Sequence, residues 1–349
     1  MKLGDDIRGY RILRDFSTAG GGLSKWSFAE RDGEEFFIKE FLSPTYPDSK
    51  SPGSEATKAR KRERCRIFED HHNKLIAEIS PACAEGGNLI ATKAFFRHGT
   101  KYYKVTEKVD VTGLTPNQIS RLEIEKRLLI LKTVAHSLGV LHKRNIVHGD
   151  LKPDNILIKQ TATGNYTAKL IDFDNSYFSG KPPELLEDVV GDMVYYSPEL
   201  ALYIKGADSI KSADLQVKSD IFALGLIYNQ YMNGSLPRFD TAKYQYPHQA
   251  VLAGEKLKID KIESFDFLSP LLEEMLNADI AKRPTINEVF ERLKASGKEK
   301  EKIESTGTLK IRMLGRSDAK SAEIKPEKSS DNPITGKLKI RMGGKTSGK

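Results

Sequence analysis

The sequence predicts an α+β fold of two lobes, in which a small β-rich lobe precedes a larger helical lobe. Strand patterns dominate residues 1–109, apart from one helical segment, whereas residues 110–296 are mostly helical. The length of 349 residues and the apolar content of 38% are enough for two sizeable cores. Apolar residues become sparse in 297–349, so this tail is expected to be disordered on its own.

Charge and composition exclude several classes of protein. The net charge is +8, but residues 297–349 hold 14 Lys/Arg and 7 Asp/Glu, so the tail carries nearly all of it. Because the folded body is close to neutral, we expect no nucleic-acid partner. No run approaches the roughly 18 apolar residues of a membrane span, and no apolar secretory leader is visible. Cys65 and Cys83 form no metal-binding pattern, which favours reduced thiols in a cytoplasmic protein.

Turn residues and periodicity place the elements of the first lobe. Asp32-Gly33 indicates a hairpin between the apolar segments 26–29 and 36–38. Residues 55–79 repeat apolar side chains at three-to-four spacing, which predicts a helix. Two further strands are expected over 88–96 and 101–109, joined through His98-Gly99.

The second lobe begins with an amphipathic pattern over 117–142, which predicts one long helix. This helix leads into the polar segment 148–155. A short strand and three helices are expected after that segment, at 168–173, 221–232, 270–277 and 286–294.

The polar segment has the sequence His148-Gly149-Asp150-Leu151-Lys152-Pro153-Asp154-Asn155. Its carboxylate, cation and amide stand at offsets that phosphoryl transfer requires. Asp150 can orient and deprotonate an acceptor hydroxyl, Lys152 can reach the transferred phosphate, and Asn155 can hold a metal ion. The segment closely resembles the catalytic loop of the eukaryotic-type protein kinase family, with Gly149 where arginine is usual.

Three more motifs follow in the order of that family. Asp172-Phe173-Asp174 resembles the magnesium motif Asp-Phe-Gly, and implies that Asp172 is the second metal ligand. Ser197-Pro198-Glu199 resembles the end of an activation segment, and implies that Glu199 pairs with Arg283 of Lys282-Arg283-Pro284. Asp220 matches the helix residue that supports the backbone of the catalytic loop.

The resemblance also implies a nucleotide site in the first lobe. Lys39 resembles the strand lysine that contacts the ATP phosphates, and its usual partner is a glutamate of the next helix. Glu69 is the first choice because it shares a helix face with apolar residues, while Glu63 and Glu78 stay open. The remaining expected contacts are the glycine-rich loop residues Gly20, Gly21 and Gly22 and the hinge residues Glu107 and Val109.

The resemblance covers residues 8–296 and implies a protein-kinase-like fold. It implies a serine/threonine kinase that transfers the γ-phosphoryl group of ATP to a protein substrate, with Mg²⁺ or Mn²⁺ as cofactor. Lys152 favours Ser/Thr acceptors over tyrosine. Two alternatives stay open. One is a pseudokinase scaffold that binds ATP and a partner, and the other is a small-molecule kinase related to aminoglycoside and choline phosphotransferases, in which His-Gly-Asp loops also occur.

Departures from the family pattern bear on regulation and activity. Without an arginine at Gly149, the usual grip on a phosphorylated activation segment is missing, so activity is expected without such phosphorylation. Asp192 replaces a threonine that normally bonds the loop. Its carboxylate is expected either to pair with Lys152 or to weaken Asp150 as a base through like-charge repulsion.

The tail contains a repeat of five residues. Leu-Lys-Ile-Arg-Met occurs at 309–313 and again at 338–342, and its apolar residues alternate as in a half-buried strand. Each copy is too short to fold alone. The repeats are therefore expected to add a strand to a sheet edge, either that of an unknown partner or that of the folded body itself.

Overall fold

The structure is a computed structural model that describes residues 2–18, 24–84, 88–110, 112–262 and 266–295. A β-rich region followed by a helical region is observed in these ranges, so the expected α+β architecture is confirmed. None of the helices in these ranges combines the length and apolar character that a membrane crossing requires. The tail with its two repeats and the loop residues Gly20, Gly21 and Gly22 lie outside the described residues.

In the described residues, the β-rich region is a seven-stranded sheet in which every pair of neighbours is antiparallel. Its strands in chain order are β1 (Asp6–Ile7), β2 (Tyr10–Ile12), β3 (Ser17–Thr18), β4 (Ser24–Arg31), β5 (Glu34–Phe41), β6 (Thr92–His98) and β7 (Lys101–Glu107). Along the sheet the order is β1, β2, β4, β5, β7, β6, and β3 pairs with β4. The hairpin predicted at Asp32-Gly33 is confirmed, since φ is positive at both residues.

One long helix, α1 (Glu55–Ala84), packs on this sheet. It continues five residues past the predicted end at 79 and contains Pro81. Its inner face brings Phe68 and His72 against the rings of Phe41 and Phe95. This aromatic contact fixes which face of α1 is turned toward the strands.

The helical region begins with two helices, α2 (Pro116–Ile119) and α3 (Ile124–His142), so the prediction of one helix over 117–142 is wrong. At the break, the backbone N–H groups of Arg121 and Leu122 donate to carbonyls three residues back, at 3.2 and 3.0 Å, so the turn tightens and α2 ends. The later helices are α4 (Pro198–Ile204), α5 (Lys218–Asn233), α6 (Pro247–Leu252), α7 (Leu268–Met275) and α8 (286–295).

Two small antiparallel pairs of strands lie between α3 and α4 in the chain. The strands are β8 (Ile146–Val147), β9 (Ile156–Gln160), β10 (Tyr166–Leu170) and β11 (Tyr177–Phe178), and the pairs are β9 with β10 and β8 with β11. The predicted strand at 168–173 therefore ends at Leu170, and residues 173–175 form a single 3-10 turn. Buried leucines and isoleucines of α3, α5 and α7 form the core beneath these pairs.

Candidate active site

The first turn of α5 binds the backbone of the segment 148–155 through the side chain of Asp220. The carboxylate of Asp220 accepts the backbone N–H groups of His148 at 2.8 Å and Gly149 at 3.2 Å, and it lies 3.0 Å from Nε2 of His142. Asp220 is buried, so each of these contacts replaces a bond to water. The sequence predicted this supporting role, and the structure brings Asp220 to the loop backbone.

Asp150, Lys152 and Asn155 come together in that loop. The ammonium of Lys152 lies 2.9 Å from Oδ2 of Asp150, and the Asn155 amide nitrogen donates to the Asp150 carbonyl at 2.7 Å. The other carboxylate oxygen of Asp150 accepts the backbone N–H of Asp192 at 3.1 Å. A carboxylate oriented on both oxygens can accept a proton from a hydroxyl within hydrogen-bonding distance.

The Asp192 carboxylate does not form the pair with Lys152 that was one of the two outcomes expected of it. Its carboxylate accepts the backbone N–H of Val194 at 2.9 Å and so caps the single turn at 193–195. Lys152 is bonded to Asp150 instead. The contribution of residue 192 to Asp150 therefore comes from its backbone N–H, which stabilises the carboxylate.

The structure shows why the residue at position 149 is glycine. Its φ is +80°, and a Cβ atom at this position would lie 2.3 Å from the carbonyl oxygen of Asn175. Both the backbone conformation and the close approach of 175 require glycine. The backbone of Asn175 thus occupies the space that the first side-chain carbon of an arginine at position 149 would need.

Asp172 adopts a left-handed backbone, with φ 61° and ψ 69°, which is rare for a residue with a Cβ. Such strain costs about 1–3 kcal/mol and is concentrated at functional sites. Its carboxylate oxygens lie 2.7 and 2.8 Å from Nζ of Lys39. Burial and the negative charge of Asp174 raise the pKa of Asp172, although Lys39 opposes them.

Asp174, where the family has glycine, contacts two lysines. Its Oδ2 lies 2.7 Å from Nζ of Lys39, and its Oδ1 lies 2.7 Å from Nζ of Lys104. Burial alone raises the pKa of Asp174, but Lys104 and Lys39 outweigh it and hold that pKa well below the usual value. Burial likewise lowers the pKa of Lys39, but Asp174 and Asp172 outweigh it and raise that pKa. Lys104 was not among the residues expected at the site, although a lysine among the apolar residues of a strand was a usable signal.

The expected pairing of Lys39 with Glu69 is wrong. Glu69 accepts the hydroxyl of Tyr102 at 2.5 Å, and the alternative Glu63 pairs with Arg66 on the exposed side of α1. The aromatic contacts of α1 turn Glu69 toward Tyr102, and they bury His72 where its nearest charged neighbours include Asp174 and Lys104. Burial lowers the pKa of His72 to about 3.

Two further residues expected at a nucleotide site, Glu107 and Val109, lie at the end of β7. Glu107 is its last residue and accepts Lys169 at 2.8 Å, and the half-buried Val109 follows in the connection to the helical region. On β4, Trp26 stacks on Phe37 of β5 with 5.6 Å between ring centroids. These residues give the expected hinge an apolar and aromatic neighbourhood.

The donors at Asn155 and Asp172 suit a hard divalent cation. The amide nitrogen of Asn155 donates to Asp150, so its amide oxygen would be the atom that binds a cation, and Asp172 has carboxylate oxygens for the same purpose. The described part of the chain holds no group of three or more His, Cys, Asp or Glu side chains arranged for a metal. A cation here would therefore complete its shell with phosphates and waters.

Glu199 and Arg283 meet in the interior below the loop. Glu199 lies in the first turn of α4 and Arg283 lies between α7 and α8. Both side chains are buried and they form an ion pair, which is the partnership expected from the motifs. The segment that ends at 199 is therefore fixed to the helical region.

Comparison with known proteins places the chain among the kinases. The family described as Protein kinase domain matches residues 54–293, more than half of the chain. Protein kinase kin1 of Schizosaccharomyces pombe is 26% identical over 295 residues, which cover 81% of this chain and 30% of kin1. The ovarian-specific serine/threonine-protein kinase Lok of Drosophila melanogaster is 29% identical over 290 residues, which cover 81% of this chain and 56% of Lok.

A third relative, serine/threonine-protein kinase PSK2 of Saccharomyces cerevisiae, is 29% identical over 212 residues, which cover 58% of this chain and 17% of PSK2. The chain thus aligns with less than two thirds of the length of each of these relatives. The match over 54–293 and the site described above agree, and the chain belongs to the protein kinase domain family.

Proposed function

We propose that this chain is a serine/threonine protein kinase that transfers the γ-phosphoryl group of ATP to a protein hydroxyl. The observation that carries the proposal is the geometry of Asp150. Its carboxylate is fixed by Lys152 on one oxygen and by the Asp192 N–H on the other, in a loop that Asp220 anchors. Such a carboxylate is ready to orient an acceptor hydroxyl and take its proton.

The other roles follow from charge and position. Lys152 neutralises negative charge on the transferred group, and Lys39 holds the phosphates of ATP. Asn155 and Asp172 hold the divalent cation, for which Mg²⁺ is the first choice and Mn²⁺ the second. When bound, such an ion would supply positive charge that offsets the charge of the phosphates.

The division of labour proposed along the chain has three parts. Residues 1–109 bind the nucleotide, through the backbone of Gly20, Gly21 and Gly22 and through the hinge at Glu107 and Val109. Residues 110–296 carry catalysis and bind the protein substrate. Residues 297–349 bind a separate partner through their two Leu-Lys-Ile-Arg-Met repeats.

Two observations favour this proposal over its alternatives. Small-molecule kinases of the phosphotransferase type lack the segment that ends at Glu199. In this chain the segment is present and is fixed by the buried ion pair of Glu199 with Arg283. A pseudokinase has no need of an oriented base, yet Asp150 keeps its partners. Two of the relatives reported above carry serine/threonine kinase in their names, which supports the choice of acceptor.

The proposal is tested by incubating the chain with radiolabelled ATP and a mixture of dephosphorylated proteins, with Mg²⁺ and with a chelator. The label is expected in phosphoserine or phosphothreonine after acid hydrolysis, and only when the metal is present. Parallel reactions with choline and an aminoglycoside test the small-molecule alternative. Label in phosphotyrosine alone, label in a small acceptor alone, or binding of ATP with no transfer would each overturn the proposal.

A further inference from the structure

Two lysines face each other across neighbouring strands of the sheet. Lys39 of β5 and Lys104 of β7 are register partners, so their side chains leave the sheet on the same face. Both are largely buried, with 15% and 8% of their side chains exposed. Like charges directly opposite each other destabilise a sheet, and a buried charge is costly unless it is paired. The arrangement therefore requires a negative group between the two ammonium groups.

Asp174 supplies that group. Its carboxylate contacts Lys39 with one oxygen and Lys104 with the other, each at 2.7 Å, and only 11% of its side chain is exposed. Glycine, the residue that the family has at this position, could not do this. The aspartate at 174 neutralises the buried charge of Lys104, and Lys104 in turn stabilises the buried charge of Asp174.

The helix that normally provides the partner of the strand lysine does not provide one here. Glu69 is bonded to Tyr102, and the buried residue of α1 that lies near Asp174 and Lys104 is His72. Asp172 also contacts Lys39, but it is a proposed cation ligand. A carboxylate oxygen that binds a cation interacts less strongly with a lysine. Asp174 is therefore the carboxylate partner of Lys39 that is not also a proposed cation ligand.

We propose that Asp174 is a positioning residue that replaces the helix glutamate, and that it holds Lys39 in place for the phosphates of ATP. Lys104 in turn fixes Asp174. This inference rests on the proposed kinase function for its effect on catalysis. The bridge of ion pairs that joins Lys39, Asp174 and Lys104 does not depend on that function.

The test uses Asp174→Asn in the full chain, which keeps the size of the side chain and removes its charge. We expect the Kd of Mg-ATP and the KM for ATP to rise about tenfold or more, because an amide carries no negative charge and only its oxygen can accept from a lysine. The matched control is Asp240→Asn, which removes a carboxylate from the exposed pair with Lys243 and should change neither value. Should Asp174→Asn be too unstable to purify, the double variant Asp174→Asn with Lys104→Met carries the same test, because it removes one charge of each sign.

A rescue variant separates positioning from a loss of stability. The triple variant Asp174→Gly, Lys104→Met and His72→Glu returns the carboxylate to the helix, and it should regain most of the ATP affinity that Asp174→Gly with Lys104→Met loses. Unchanged ATP affinity in Asp174→Asn, a faster turnover in that variant, or a triple variant no better than the double would each overturn the inference.

The failure of this inference can be told apart from the failure of the proposed function. The ATP affinities and the unfolding temperatures of the ligand-free variants are measurable even if the wild-type chain transfers no phosphoryl group. Thermal unfolding of Asp174→Asn, Lys104→Met and the double variant should show non-additive shifts, as residues in contact do. Additive shifts would mean that the two side chains do not interact, and would overturn the bridge itself.

Discussion

Glu199 and Arg283 form two parallel hydrogen bonds in the interior of the helical region. Nη1 of Arg283 lies 2.8 Å from Oε1 of Glu199, and Nη2 lies 2.7 Å from Oε2. The same guanidinium donates to the carbonyl groups of Asn277 at 2.9 Å and Lys218 at 3.1 Å. This one side chain therefore connects α4, the start of α5 and the end of α7.

Replacing Arg283 with alanine is expected to lower the free energy of unfolding by about 3–5 kcal/mol, because the carboxylate of Glu199 is left buried and unpaired. Urea unfolding followed by circular dichroism measures the loss. Arg292→Ala is the control, since its pair with Glu274 is exposed, and it should cost no more than about 1 kcal/mol. Equal losses in the two variants would contradict the assignment of Arg283 as an interior anchor.

Gly149→Ala is expected to destabilise the chain and to reduce phosphoryl transfer, because the new Cβ would meet the Asn175 carbonyl oxygen at 2.3 Å. The loop that carries Asp150 would have to move. Gly164→Ala is the matched control, because its φ of +79° imposes the same backbone strain with no atom within 4 Å of the added carbon. If both variants lose stability and activity to the same extent, the close approach of 175 is not the reason for glycine at 149.

The stability of the chain should fall as the pH falls below about 6.5, in part because of His72. The folded pKa of His72 is lowered to about 3 by burial, so below 6.5 the unfolded chain binds a proton that the folded chain does not. The contribution of the neutral ring is present above 6.5 and is lost toward pH 3. Between pH 7.5 and 5 the wild type should lose about 2 kcal/mol more than His72→Phe, measured by urea unfolding.

His136→Phe is the control for that experiment, because His136 is exposed and its replacement should leave the pH profile of the wild type. A His72→Phe variant with the same pH profile as the wild type would contradict a buried neutral ring at this position.

Activity is expected without phosphorylation of residues 174–196. Gly149 stands where the family has the arginine that binds a phosphate in this segment. Ser176 and Tyr177 are buried, and the Ser176 hydroxyl donates to the His148 carbonyl at 2.9 Å. In the same segment Asp188 already pairs with Arg64 of α1 at 2.5 Å. Treatment with a phosphatase should therefore leave the rate unchanged, and Ser179→Ala should behave like the wild type. A large loss of rate on dephosphorylation that Ser179→Asp restores would contradict this.

Local patterns in the sequence predicted much of the fold. The hairpin at Asp32-Gly33 follows from two residues that tolerate positive φ, and the helices at 221–232 and 286–294 follow from buried periodic residues. The break between α2 and α3 was missed because it lies in the backbone, where the N–H groups of Arg121 and Leu122 bond three residues back. Periodicity does not register such a bond.

The active site was harder to predict where contacts between distant elements determine which side chains meet. Glu69 and His72 are three residues apart and share one face of α1, so periodicity could not tell which of them faces Lys39. The role of Lys104 depends on its register opposite Lys39, and strand register is not visible in the sequence. The departures at 149 and 174 were seen, but their causes are contacts with residues far away in the chain.

Phosphoryl transfer by Asp150→Asn, compared with the wild type, tests the central claim most directly. Radiolabelled ATP measures transfer to a protein acceptor, and calorimetry measures the Kd of Mg-ATP for both proteins. The carboxylate acts on the acceptor hydroxyl and not on the nucleotide, so transfer should fall by about a hundredfold or more while the Kd stays within a factor of about three. Undiminished transfer in Asp150→Asn would contradict the assignment of this loop as the catalytic centre.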